Sequence, residues 1–268
     1  MRALVLLLSL AFAWPLAAAQ RVVSLAPSLS EIVVELQAGE LLVGVLDAGE
    51  RPPELTQVPS VGRYGQLDLE RLLSLKPDLI LLWPASVPPA QRAQLERLGI
   101  PLYSAEPHDL DSLIAQIETL GERLGRAERG QEYAGQLRAR LHSLREQYRR
   151  ELPLRVFYQV WDKPLYTVGA GQIISDALKV CGARNVFDDL QLPAPQVSIE
   201  SVLLRDPQVI LAGDRAQLAA WKTWTQVAAV RNEQLRLVPD KGLERPSGQM
   251  IEATARLCQA LATVPASR

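Results

Sequence analysis

The chain has 268 residues, 48% of them hydrophobic, with 29 lysines and arginines against 30 acidic residues. So even a balance excludes the basic surface that nucleic acids demand. At roughly 150 residues per domain there is room for one large domain or two lobes, and two cysteines with two histidines leave too few soft ligands for a dedicated transition-metal centre.

Met1 to Ala19 reads MRALVLLLSLAFAWPLAAA. One arginine precedes an apolar run, and Ala17-x-Ala19 is a small-residue cleavage site, which is the pattern of a secretory signal. Pro15 interrupts the run, which is short for a membrane span of about 20 residues. No cysteine follows it to carry a lipid, so a free soluble protein starting near Gln20 is expected. Export also bears on Cys181 and Cys258. An even count in an oxidising compartment is read first as a disulfide and second as a pair of buried thiols.

In chain order, Arg21-Val-Val-Ser-Leu-Ala is a short β-rich run that Pro27-Ser28 turns. Ser28 or Ser30 is placed to cap a helix over 31–38, with Ile32, Val33 and Leu36 on one face and Gly39 at its end. Leu42-Val-Gly-Val-Leu is a second strand, and 51–59 is a loop. Asp68 caps a helix over 69–75 that Pro77 stops, and Leu79-Ile-Leu-Leu-Trp83 is a fully apolar strand. A helix over 90–98, a strand over 101–104 and a helix capped by Asp111 or Ser112 and running to Leu124 complete the first half. Strands alternating with helices predict a parallel sheet covered on both faces.

Gly125 separates that half from a longer element. Ala127, Ala134, Leu137, Leu141, Leu144 and Tyr148 form one apolar stripe at helical spacing over 126–151, with Arg, Glu and Gln covering the rest. Pro153 disfavours helix in the residue before it, and at 1.5 Å per residue the rod should be roughly 35–40 Å long. Beyond it the order of elements repeats. Arg155-Val-Phe-Tyr-Gln-Val is a strand like Arg21-Val-Val-Ser, and 173–181 is a helix stopped by Gly182. LDLERLLSLKPDLILLW (67–83) matches VSIESVLLRDPQVILAG (197–213) without a gap, setting Glu70 against Glu200 and Pro77 against Pro207. A mostly helical 217–230, a strand over 235–238 and a helix over 249–262 follow. The prediction is an α/β protein of two Rossmann-like lobes with parallel-type sheets. After a signal at 1–19, the lobes occupy 20–125 and 152–268, joined by a single long helix over 126–151. Facing lobes create a cleft at their seam, a common place for ligands.

Few residues offer covalent chemistry. There is no Walker loop, and Gly169-x-Gly171 lacks the third glycine of a dinucleotide fingerprint and reads as a turn. No Ser-His-Asp arrangement is evident, so nothing points to catalysis. Aromatic side chains at loop tips are the positive signal. Tyr64 and Trp83 flank the first copy of the repeat, and Trp161 and Tyr166 follow the first strand of the second lobe. Trp83 ends its strand where open α/β sheets place ligands. Aromatic walls suit a large flat apolar ligand, with edge hydrogen bonds from groups such as Asp240 and Arg245.

An exported, two-lobed chain with one linking helix resembles the helical-backbone substrate-binding proteins of ABC importers, and within them the periplasmic cobalamin-binding proteins. RVVSLAPSLSEIVVELQAGELLVGV, PPELTQVPSVGRYGQLDLERLLSLKPDLILLW, VCGARNVF, LPAPQVSIESVLLRDPQVIL and RLCQAL carry the resemblance. The first of these and the P-D-L-I strand are shared with siderophore and haem binders. The Cys181/Cys258 pair and the PQVS-x-E-x-V-L segment are more specific to the cobalamin proteins. The resemblance implies a periplasmic monomer that is not an enzyme and has no cofactor of its own. It would capture cobalamin in the cleft and deliver it to a homodimeric permease with ATPase subunits. A siderophore or haem binder of the same fold is the alternative. For siderophores the cleft offers only Arg245 and Arg63 as basic side chains. The family's first-lobe tryptophans fall on Tyr64 and Trp83, its second-lobe aromatic near Tyr166, and its acidic and arginine pair on Asp240 and Arg245. Aromatics of the family are lost at Ala48 and Ala194, with Trp161 as the residue to fill part of that gap. Its permease-docking glutamates match Glu70 and Glu200.

Overall fold

The structure, a computed structural model, describes residues 18–47, 49 and 51–265. Residues 1–17 of the expected signal, and Ala48, lie outside the described residues.

Strands β1 (Val22–Ser24), β2 (Leu42–Asp47), β3 (Ser60–Arg63), β4 (Gln66–Leu67), β5 (Leu79–Leu82) and β6 (Leu102–Ser104) form one sheet, ordered β4-β3-β2-β1-β5-β6. The second sheet contains β7 (Leu154–Asp162), β8 (Leu165–Thr167), β9 (Ala183–Asn185), β10 (Val209–Ala212) and β11 (Leu235–Leu237). Its order is β11-β10-β7, with β9 and β8 dividing the other edge of β7 between them. Pairing is parallel except for β3 with β4 and β7 with β8. The helices are α1 (Pro27–Glu35), α2 (Leu69–Ser74), α3 (Pro89–Arg97), α4 (Leu110–Arg123), α5 (Ala127–Gln147), α6 (Ile173–Val180), α7 (Ile199–Arg205), α8 (Arg215–Trp221), α9 (Ala228–Arg231) and α10 (Gln249–Ala262). The fold is thus two α/β lobes joined by the long helix α5.

The core follows from strand periodicity, because alternate residues of a strand face opposite sides. Val22, Leu79 and Leu81 of the first sheet share one apolar cluster with Val156, Val209 and Leu211 of the second. Leu137, Leu141 and Leu144 of α5 belong to that same cluster. The intervening residues point the other way, into cores private to each lobe. Val23, Ile80 and Leu82 pack with Leu72 of α2, and Phe157, Ile210 and Ala212 pack with Val202 of α7 and Trp221 of α8. Each lobe therefore has an outer core of its own, while one inner core runs from lobe to lobe beneath α5.

The repeat extends beyond the sequence match. Asp68 and Ser198 cap α2 and α7 by accepting from Arg71 N and Ser201 N. Each helix then ends on a left-handed residue before proline, Lys76 (φ 47°) and Asp206 (φ 40°). Arg21 Nη2 donates to Leu75 O at 2.6 Å, and Arg155 Nη2 donates to Asp206 O at 3.0 Å, so one arginine in each lobe satisfies carbonyls that the helix end leaves open. Directly after the proline, Asp78 accepts from Arg21 N at 3.0 Å and Gln208 from Arg155 N at 2.9 Å.

Several local expectations are corrected. Pro27 opens α1 at its first turn instead of turning the chain before it, and Ala26, not Ser28 or Ser30, is the N-cap. A proline suits that position, since its missing N–H is one the helix cannot pair. Asp109, not Asp111 or Ser112, caps α4, and Ser112 closes a reciprocal capping box with it. The rod spans Ala127–Gln147, about 30 Å, a turn shorter than expected. The chain leaves it ahead of Pro153, where Arg150 Nη2 donates to Leu261 O at 2.8 Å. The helical stretch expected over 217–230 is two short helices, α8 and α9. Gly171, at a positive φ of 69°, lies in a turn with Ala170, while Gly169 precedes that turn, where a side chain would strike the carbonyl of Leu192. Cys181 and Cys258 form a disulfide that ties the end of α6 to α10.

Candidate functional site

The parallel strands of each sheet end on one side, and the aromatic residues expected in the site sit at those ends. Tyr64 follows β3 at the tip of the β3–β4 hairpin and is 68% exposed. Trp83 follows β5, where Ser86 Oγ both accepts from Trp83 N (3.2 Å) and donates to Trp83 O (2.8 Å), fixing the turn. The Trp83 ring is half-buried against the inner core. Trp161 and Tyr166 face each other across the β7–β8 hairpin. Directly opposed residues of an antiparallel pair share a face of the sheet, so the two rings form one aromatic patch. Trp161 Nε1 donates to Lys163 O at 3.2 Å, and the ring is 58% exposed. Tyr166 in turn bridges to Gln196, which places 193–197, and Ala194 within it, alongside the patch.

Asp240 and Arg245 sit in a different part of the seam. They line a cavity of about 660 Å³ together with Glu31, Glu35 and Arg51 of the first lobe and Gln249 of the second. None of the four aromatic residues lines this cavity. Asp240 is already engaged, accepting from Gly242 N at 2.8 Å and pairing with Arg256. Arg245 Nη1 reaches across the seam to Glu31 Oε1 at 2.7 Å. Glu35, on the same face of α1, accepts from Gly248 N (2.9 Å) and Gln249 N (3.1 Å) at the start of α10. Burial pushes the Glu35 carboxyl above its ordinary pKa, against the pull of those two N–H groups. On the other side of the seam, Leu110 N donates to Asp176 Oδ2 at 3.0 Å, and His108 Nδ1 lies 3.0 Å from Gly171 O.

Sequence reasoning missed Glu31, Glu35, Arg51 and Gln249. The one available signal was the Glu31/Glu35 spacing of four, which puts two like charges on one helix face where they repel unless something pairs them.

Glu70 and Glu200 each occupy the second position of their helix, α2 and α7, and both are exposed. Glu200 is held below the ordinary carboxylate range by its own backbone N–H and then by the Ser198 hydroxyl. Among the described residues, no three His, Cys, Asp or Glu side chains are grouped to hold a metal ion, and no helix is long and apolar enough to cross a membrane.

Two α/β lobes joined by one long helix, with a cavity at their seam lined by charged side chains, make the frame of a small-ligand receptor. Residues 22–241 match the family model described as periplasmic binding protein, and the chain belongs to that family. It is 37% identical over 243 residues, 90% of this chain and 88% of the relative, to the vitamin B12-binding protein of Vibrio cholerae serotype O1. It is 33% identical over 268 residues to that of Yersinia pseudotuberculosis, covering 98% of this chain and 93% of the relative. Among solved structures, the periplasmic vitamin B12 binding protein BtuF of Vibrio cholerae superposes with a TM-score of 0.84 at 36% identity, covering 92% of this chain and 98% of that one. The periplasmic haem-binding protein HutB of Vibrio cholerae, with a TM-score of 0.78 and 20% identity over 90% of this chain and 98% of that one, shares the fold alone.

Proposed function

We propose that this chain is a periplasmic substrate-binding protein that captures cobalamin between its lobes and delivers it to an ABC importer. The observation that carries the reading is likeness to vitamin B12-binding proteins at 36–37% identity over nine-tenths of the chain, in sequence and in fold. The lobes are 20–125 and 152–268 with the linker at 126–151, and a signal at 1–19 is removed on export. The protein acts as a monomer. It binds and releases its ligand unchanged, without catalysis, and cobalamin is cargo, not a cofactor.

A corrin ring presents apolar faces and a fringe of amides. Tyr64, Trp83, Trp161 and Tyr166 supply stacking surfaces, and Asp240 and Arg245 supply edge hydrogen bonds. Glu70 and Glu200 stand at equivalent positions of the two lobes, exposed and capped alike. They suit docking on a permease of two identical subunits, whose charges come in matching pairs; such rim charges act on association rate and register. Incubation with cyanocobalamin, haemin and ferric siderophores, followed by gel filtration and absorbance spectra, tests the reading. Co-elution of cyanocobalamin supports it; co-elution of haemin or a ferric siderophore instead replaces the ligand while keeping the class. For docking, the Glu70→Ala/Glu200→Ala protein is expected to bind cobalamin normally and to support uptake poorly. Normal uptake would leave the two glutamates as helix N-terminal charges only.

A further inference from the structure

We infer that Glu31 is the positioning residue for Arg245: a carboxylate of the first lobe sets where the guanidinium of the second lobe points. The inference rests on the reading of Arg245 as a ligand contact and extends it to a residue that does not itself need to touch ligand.

Helix α1 begins directly after β1, the central strand, so its first turns stand at the carboxyl ends of the sheet. Glu31 and Glu35 project from the same face of that helix. A buried carboxylate is costly unless hydrogen-bonded, and the donors come from the other lobe. The Glu31 side chain is only 6% exposed. Its Oε1 accepts from Arg245 Nη1 at 2.7 Å, and its Oε2 accepts from Ser247 Oγ at 3.1 Å and from Gln249 Nε2. Glu35 instead accepts from the backbone of Gly248 and Gln249. The two carboxylates therefore share the contact, with Ser247 within reach of both. Glu35 holds the start of α10, while Glu31 holds three side chains, one of them Arg245.

A guanidinium is a rigid planar fork, so fixing one nitrogen restricts the direction of the others. The Arg245 side chain remains 36% exposed on the cavity wall while Glu31 is enclosed. Orientation is thus set from the buried side and presented on the open side.

The test compares cyanocobalamin affinity of the wild type with Glu31→Ala, Glu31→Gln, Arg245→Ala, Asp176→Ala and the Glu31→Ala/Arg245→Ala double variant. Glu31→Ala is expected to weaken binding about tenfold, the weight of one charge-assisted hydrogen bond. Glu31→Gln should recover part of that, since its carbonyl still accepts from Arg245. The double variant should bind no worse than Arg245→Ala alone, because Glu31 acts through Arg245. Asp176→Ala, which removes a seam bond away from the cavity, should lower the melting temperature yet leave affinity within about twofold. Additive losses in the double variant, or an Asp176→Ala defect as deep as that of Glu31→Ala, would overturn the inference and leave Glu31 a fastener between lobes. Glu31→Gln replaces Glu31→Ala in the cycle if the alanine variant does not fold. If the wild type binds no cobalamin, the functional reading fails by itself. Crystal structures of the ligand-free wild type, Glu31→Ala and Glu31→Gln then decide the positioning: Arg245 displaced in the alanine variant and restored by glutamine supports it, and Arg245 unmoved in the alanine variant refutes it.

Discussion

The two lobes carry the same frame and different rims. In both, a capped short helix stops at a left-handed residue and a proline, and an arginine from the first strand closes that stop. The departures lie at the other end of the same strands. β1 stops after three residues and turns at once into α1, bringing Glu31 and Glu35 to the seam. β7 runs for nine residues and folds back into the hairpin that carries Trp161 and Tyr166. One frame thus supports a pair of carboxylates after the first strand of the first lobe and an aromatic hairpin after the first strand of the second. What is repeated keeps each sheet in register, and what differs equips the site.

The largest test of this comparison is the disulfide, which staples only the second lobe. Closing a loop of 77 residues is worth about 4 kcal/mol in the chain-entropy model. Cys181→Ser/Cys258→Ser should lose stability of that order in urea melts, and an unchanged midpoint would mean that the inner core alone holds α6 to α10. Next come the aromatic rims. Trp83→Ala is expected to weaken cobalamin binding by about 1–3 kcal/mol, or about 5- to 150-fold. Trp161→Ala, removing a more exposed ring, should cost about 1 kcal/mol. Fluorescence titration measures both, and wild-type binding by both variants would move the ligand away from the strand ends. Smaller still is the repeated arginine. Arg21→Ala and Arg155→Ala should each lower unfolding free energy by about 1 kcal/mol, by equal amounts if the two stops are equivalent. A large inequality would show that only one lobe depends on this closure.

The smallest expected effect is the pH dependence of Glu35. Its pKa is raised above the ordinary 4.5 by burial, so the folded chain holds that proton more tightly than the unfolded chain does. Its contribution to stability is fully present below 4.5 and is lost as pH rises through the raised value. Glu252, lowered by its bond to Arg140, has the opposite sign: its contribution is present above the ordinary value and fades as pH falls through the lowered one. The stability difference between wild type and Glu35→Gln should therefore shift against the wild type as pH climbs above 4.5. A flat difference from pH 4 to 8 would mean that Glu35 titrates alike in both states.

Much of the frame was legible because it rests on local rules. The 67–83 and 197–213 echo, the proline stops, the Asp68 cap and the last helix over 249–262 need only neighbouring residues. β4, β8 and β9 were missed because strands of two or three residues show no period of their own, and their existence depends on a partner strand. The extent of α5 was overestimated for a related reason. Its apolar stripe runs on to Tyr148, but the chain leaves the helix to reach Leu261. The strand-end position of the aromatics could be named because a ring after an apolar strand is a readable sign. Glu31 and Glu35 could not, since their meaning depends on donors more than 200 residues away in the chain.

The inner core shared beneath α5 has a consequence for occupancy. A receptor whose lobes swing freely spends part of its time in arrangements that cannot bind, and its apparent affinity is reduced by that fraction. Here Leu137, Leu141 and Leu144 pack into a cluster drawn from both sheets, and α1 is bonded to the 245–249 segment across the seam. A core and hydrogen bonds that span both lobes oppose free swinging, so little affinity would be spent on closing. The same contacts would make unloading the harder half of the cycle, because parting the lobes breaks them.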